Sequence, residues 1–269
     1  MRDDPEFEEP DLEEPDFDSL EFEEPDFVPS TLDDTSVLEP GGVELWMAWL
    51  DAEDSTFARL EATLSEDEQE RAAEKEGAAR RRFVTARGIL RELLASYTGV
   101  LPTELAFEYS EHGKPSVFSA AGDGPRFNIS HTGALALFAF SPDLEVGVDV
   151  EQVQARAKLD EIAEKYFSAA EAEMVSGLMD EERDSLFATY WTRKESLYKA
   201  IGTGIAYRPA TVDLSGMSSD GTEISCPSEE AADDETWFVR DVEVEDGYRA
   251  ALCCRSRPTE LHCKDAIYE

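Results

Sequence analysis

Two hydrophobic rhythms alternate along the chain. Residues 43–50 are almost continuously apolar, which predicts a largely buried strand. A helical period begins near Ser55. A longer one runs over residues 65–97, with a break near Gly77 and a stop at Gly99. Residues 105–109 read as a strand, 112–115 as a turn and 127–130 as a short extended piece. Residues 134–140 and 145–151 read as neighbouring strands around a turn at Ser141-Pro142-Asp143. The second half repeats this logic. Residues 159–167 have helical spacing, and Ser168 with Glu171 has the capping-box spacing for the next helix. A strong helix over 184–200 is stopped by Gly202 and Gly204, and strands over 236–244 and 248–254 close the chain. Strands and helices mix without a regular βα alternation, so the expected fold class is α+β.

Residues 1–40 show neither rhythm. Glu-Glu-Pro-Asp begins at Glu8, Glu13 and Glu23, each time followed by Leu or Phe. Prolines break helices and like charges repel, so this stretch reads as a disordered acidic tail. Phe7, Leu12, Phe17, Phe22 and Phe27 would alternatively be short docking anchors for a basic, apolar partner. The tail carries a net charge of −16, out of −38 for all 269 residues. The body therefore keeps −22 and reads as a solvated acidic surface suited to high salt, which points to a halophilic source.

Charge also narrows the function. An acidic surface repels phosphate backbones and anionic lipid, so no nucleic acid and no membrane is expected as partner. No apolar run approaches the roughly 20 residues that span a bilayer, and no basic-then-apolar start is present. A cytoplasmic location is the expectation. Cys226, Cys253, Cys254 and Cys263 form no CxxC pair and read as reduced thiols rather than a zinc site.

Candidate chemistry gathers in four places. On a strand through Val146-Gly147-Val148-Asp149-Val150-Glu151, the valines point one way and Asp149 and Glu151 the other. Two such carboxylates repel unless a cation or proton separates them, and magnesium is the natural cation. Gly147 shares their face and leaves room beside them, as for a ligand approaching the backbone. In an acidic protein such a pair is ordinarily just a polar strand face. The helix around Trp191 changes that balance: Glu195 and Lys199 share a face, and scarce cations (Arg193, Lys194, Lys199) concentrate there. Asn128-Ile129-Ser130-His131 puts a serine and a histidine at a strand end. Adjacent residues on an extended chain point apart, and no GxSxG elbow exists, so a hydrolase is not expected. Gly113-Lys114-Pro115 adds a cation on a turn, and Arg80, Arg81, Arg82, Arg87 and Arg91 line the long helix.

Taken together, these segments resemble the 4′-phosphopantetheinyl transferases of the Sfp type, in the holo-acyl-carrier-protein synthase superfamily. That family carries a Gly-Lys-Pro turn and an Asn-Ile-Ser-His segment. It then has a strand with Gly-x-Asp-x-Glu and a helix with Trp-x-x-Lys-Glu. All four occur here in family order, over roughly residues 41–255. The resemblance implies a pseudo-twofold monomer of two α+β halves, here 41–145 and 146–269. It implies transfer of 4′-phosphopantetheine from coenzyme A to a serine of an apo acyl or peptidyl carrier protein, with Mg2+. Asp149, Glu151 and Glu195 would hold the metal. Glu195 would also take the serine proton, and Lys199 would bind the pyrophosphate. Lys114, Ser130, His131 and Lys194 would bind the nucleotide and its phosphates, with Arg82 on the 3′-phosphate. One departure stands out: lysines that some members carry ahead of the arginine helix are replaced by an acidic run over 65–70. The alternatives are a non-catalytic module that binds coenzyme A or a carrier protein, and a structural protein whose tail recruits partners.

Overall fold

The computed structural model describes residues 38–119, 122–205, 209–227 and 234–266. The tail expected over 1–40 lies outside the described residues as far as residue 37. The first half runs β1 (Gly42–Trp49), α1 (Asp54–Glu61), α2 (Glu66–Ala73), α3 (Gly77–Thr98), β2 (Ala106–Tyr109), β3 (Pro115–Ser119), β4 (Gly122–Asp123), β5 (Arg126–Thr132) and β6 (Leu135–Ser141). The second runs β7 (Val146–Gln152), α4 (Leu159–Tyr166), α5 (Ala169–Ser176), α6 (Asp180–Ile201), β8 (Thr222–Cys226), β9 (Glu235–Val242), β10 (Tyr248–Cys254) and β11 (Glu260–Asp265).

Each half therefore sends a strand into two helices of 8 residues and one of 22. The long helices end alike. Gly99 (φ 69°) and Gly202 (φ 88°) take the left-handed conformation that closes a helix C-terminus without a Cβ clash. The long helical period over 65–97 divides near Gly77, as its break predicts. Helix α6 starts at Asp180, earlier than the apolar pattern shows. Its first turn is Asp180, Glu181 and Glu182, polar residues that suit the positive end of a helix dipole.

Two four-stranded sheets form, ordered β11-β1-β6-β5 and β7-β10-β9-β8, with β2-β3-β4 as a small third. The two large sheets face each other across one apolar layer: Leu45, Leu137 and Ala139 on one side, Val146, Val148, Val150 and Leu252 on the other. Helix α3 covers the outer face of the first sheet through Ile89, Leu90, Leu93 and Leu94. Helix α6 covers the outer face of the second, where Leu197 and Ala200 meet Val239 and Cys253. Strands β6 and β7, read from the sequence as neighbours, lie in different sheets, and β7 pairs with β10 instead. The last strand, β11, returns to run parallel to β1 in the first sheet. Buried Glu44 fastens it there, bonded to Lys264 of β11 at 3.1 Å and to Tyr97 of α3. Cys226, Cys253 and Cys254 are buried and Cys263 is exposed; all four are free thiols.

Candidate active site

Gly147 decides how α6 meets β7. A Cβ at this position would lie 2.1 Å from the Ser196 carbonyl oxygen and 2.3 Å from the Ala200 nitrogen, so no other residue fits without moving the helix. The space beside the carboxylates is taken by α6 itself, not left open for a ligand as the sequence suggests. This close approach seats Glu195 and Lys199, the residues just before Ser196 and Ala200, over the face that carries Asp149 and Glu151.

The charges there are tightly coupled. Lys199 Nζ donates to Asp149 Oδ1 at 2.6 Å and to Ser130 Oγ at 3.0 Å. Ser130 Oγ donates to the same Asp149 oxygen at 2.7 Å. Asp149 is almost wholly buried, and its Oδ2 has no hydrogen-bond partner. Glu151 accepts from the Arg156 guanidinium at 2.5 Å. Burial raises the Glu151 carboxyl above its usual range, opposed by Arg156 and reinforced by Asp149. Glu195 is pushed further, to about 7: burial dominates, Lys199 opposes it, and Asp149 and Glu151 add to it. Burial alone would lower the Lys199 ammonium. Asp149 and Glu195 outweigh it and hold Lys199 protonated, above the ordinary lysine value.

Strand β5 completes the cluster across the seam between the sheets. Asn128 Oδ1 accepts the Val148 amide at 2.9 Å, and Ser130 Oγ lies 3.4 Å from the Val150 amide. Side chains of one sheet thus satisfy the open edge of the other. His131, next along, is exposed. With Phe83, Ala86, Arg87, Ile129, Ser130 and Lys199 it lines a cavity of about 320 Å³ between α3, β5 and α6. Asn128 and Arg156 carry no distinct signal in the sequence. The first is legible only once β5 and β7 are known to meet, and the second sits outside every motif.

The remaining predicted residues divide. Lys114 Nζ donates to Glu145 Oε2 and to the Ala200 carbonyl, both at 2.7 Å, so it caps the C-terminus of α6. It borders a second cavity of about 330 Å³, beside Tyr109, Pro115, Arg126 and Glu145. Arg82 makes a two-pronged pair with Asp51 at 2.8 and 3.0 Å. Lys194, expected to bind cofactor, does not reach either cavity. It is fully buried, paired with Glu171 at 2.9 Å and donating to the carbonyls of Pro209 and Val212. Burial pulls its pKa down and Glu171 opposes that. The reason is geometric: Glu195 faces β7, and its chain neighbour projects to another side of the helix, toward α5.

Among the described residues, no group of three or more His, Cys, Asp or Glu side chains is arranged to hold a metal ion as it stands. Asp149 Oδ1 and Glu151 Oε2 are engaged by Lys199 and Arg156. Among the same residues no helix is long and apolar enough to cross a membrane.

Known proteins share this arrangement of sequence. Residues 145–253, which span β7, α6 and the carboxylates between them, match the 4′-phosphopantetheinyl transferase superfamily. The 4′-phosphopantetheinyl transferase HetI of Nostoc is 40% identical over 166 residues, which are 61% of this chain and 70% of HetI. The chain belongs to the 4′-phosphopantetheinyl transferase superfamily. The transferase psf-1 of Bacillus pumilus is 31% identical over 68% of this chain and 74% of its own length. A Synechocystis protein, described as a putative 4′-phosphopantetheinyl transferase, is 35% identical, with 52% of its length covered. The mixed α+β fold of this transferase agrees with membership.

Proposed function

We propose that this transferase moves 4′-phosphopantetheine from coenzyme A to a serine hydroxyl of an apo acyl or peptidyl carrier protein, with Mg2+ as cofactor. One observation carries the reading. The Glu195 carboxyl faces the Lys199–Asp149–Ser130 cluster beside a cavity between the two halves. A carboxylate placed there is within reach of a hydroxyl entering the cavity and can take its proton. Glu195 is the base for the incoming serine. The serine oxygen bonds to the β-phosphorus of coenzyme A, the bond to the bridging oxygen breaks, and adenosine 3′,5′-bisphosphate departs. Lys199 lies against the diphosphate and offsets the charge that grows on the leaving group.

The donor set fits a hard divalent cation. Three carboxylates supply oxygen, and the buried Asp149 Oδ2 is an acceptor in want of a partner. Asp149, Glu151 and Glu195 would hold the cation, which when bound would neutralise diphosphate charge. Ser130 orients Asp149, and Lys114 fixes the end of α6. His131 and Arg82 remain the proposed contacts to the nucleotide phosphates. Arg82 must first exchange its Asp51 partner. Mixing the protein with coenzyme A, Mg2+ and a panel of apo carrier proteins tests the reading. A carrier heavier by one phosphopantetheine is expected. Calorimetric binding of coenzyme A with no mass change on any carrier would favour the non-catalytic binding module instead.

A further inference from the structure

The carboxylates under α6 are not all held alike. Asp149 gathers Lys199 and Ser130 on Oδ1 and leaves Oδ2 without a partner. Glu151 instead has Oε2 engaged by the Arg156 guanidinium at 2.5 Å. Both side chains of that pair are largely screened, with 16% and 19% exposure. Arg156 follows β7 and precedes α4, outside any helix or strand. Its guanidinium also lies 5.6 Å from the Phe187 ring centre, and Phe187 stacks on Trp191 at 5.9 Å. Phe187 and Trp191 belong to α6, so the helix that brings Glu195 to the site also builds the seat of Arg156. A guanidinium does not lose its proton at ordinary pH, so a positive charge stays beside Glu151.

We infer that Arg156 is a resident counter-ion that occupies the Glu151 carboxylate in place of a divalent cation and so sets how tightly the cation binds. The inference rests on the reading of Asp149, Glu151 and Glu195 as ligands of that cation. A cation arriving at Glu151 must displace the guanidinium or share the carboxylate with it. Either way two like charges meet in a partly buried site, and the repulsion subtracts from metal binding. Lys199 imposes less, because Asp149 keeps Oδ2 open. The free cation is therefore held weakly. An anionic diphosphate relieves the excess of positive charge, so cation and co-substrate bind best together. Arg156 acts through Glu151 and is a positioning residue, not a catalytic one.

The test uses the full chain and Mn2+ as probe, with free Mn2+ read by electron paramagnetic resonance at fixed ionic strength. Without nucleotide, Arg156→Gln should bind Mn2+ about tenfold more tightly than wild type, the scale of one charge-assisted hydrogen bond lost to a competitor. Arg156→Lys, which keeps the charge, should stay near wild type. The gain should vanish when Arg156→Gln is combined with Glu151→Gln. If Arg156→Gln does not fold, Arg156→Met, which keeps a packed side chain over Phe187, replaces it. Unchanged or weaker Mn2+ binding in the folded variant overturns the inference while leaving the cation reading intact. No Mn2+ binding by wild type or variant, even with coenzyme A, overturns the cation reading and the inference with it.

Discussion

In the first half Arg91 is the fifteenth residue of its long helix, and in the second half Lys194 is the fifteenth of its own. Each is buried, and each holds the glutamate of a capping box at the start of the preceding helix: Arg91 with Glu68 at 2.5 Å, Lys194 with Glu171 at 2.9 Å. Each also donates to carbonyls at the next 3-10 turn, Pro102 and Leu105 in one half, Pro209 and Val212 in the other. The next helix position is glutamate in both halves, and there the likeness stops. Glu92 pairs with Arg59 on the neighbouring helix α1. Glu195 looks down on Asp149 and Glu151, whereas α3 packs over Trp46 and Ala48. The two long helices carry the same anchor, and only α6 overlooks the acidic cluster. Lys194 is conspicuous in the sequence for a structural reason, not a chemical one.

The largest test of that contrast is loss of activity. Asp149→Ala should lower phosphopantetheine transfer by roughly 10³-fold or more, because it removes preorganised charge from a water-poor site. Circular dichroism should show the fold intact. Full activity would refute the assignment of Asp149. Next come the anchors. Lys194→Met strands Glu171 without its buried cation and should cost about 3 kcal/mol or more in urea unfolding. Arg91→Met should cost less, about 2 kcal/mol, because Arg87 still pairs with Glu68 at 2.5 Å. Equal losses would show that the two anchors are not backed up differently.

A smaller effect is the pH dependence that Glu195 confers on stability. The folded-state pKa of Glu195 is about 7, above its unfolded value of 4.5. The folded protein therefore resists ionising this group, and stability falls as pH rises from the unfolded value through the folded one. Glu195→Gln should stabilise the metal-free protein by about 2 kcal/mol at pH 8 and by little at pH 4. A gain equal at both pH values would contradict the assignment. Smallest is the effect of salt. With −38 on the chain, an acidic carrier should be met slowly at low ionic strength. The transfer rate should rise about two- to fivefold as potassium chloride is added from low levels. A rate that only falls would count against this.

Much of the site was legible because its motifs obey local geometry. The alternation from Val146 to Glu151 puts three valines in the inter-sheet layer, and the helix period sets Glu195 and Lys199 on one face. The capping box at Ser168 and Glu171 was equally plain. Its twin at Ser65 and Glu68 has the same spacing but is hidden in a run of acids. What could not be read depends on contacts distant in sequence. Nothing local says that β11 returns to β1, that Asn128 reaches the Val148 amide, or that Arg156 turns back to Glu151. Gly147 gave the right sign and the wrong occupant, since a missing Cβ cannot tell a ligand from a helix backbone.

The chemistry belongs to α6 and β7, and the matching position on α3 takes no part in it. The most direct measurement compares Glu195→Ala with Glu92→Ala, the same change at twin positions. Each protein is mixed with coenzyme A, Mg2+ and an apo carrier, and the carrier is weighed over time. Glu92→Ala should load the carrier at a rate close to wild type, and Glu195→Ala should leave it unmodified. Loading by Glu195→Ala at the wild-type rate would contradict a chemical role for Glu195.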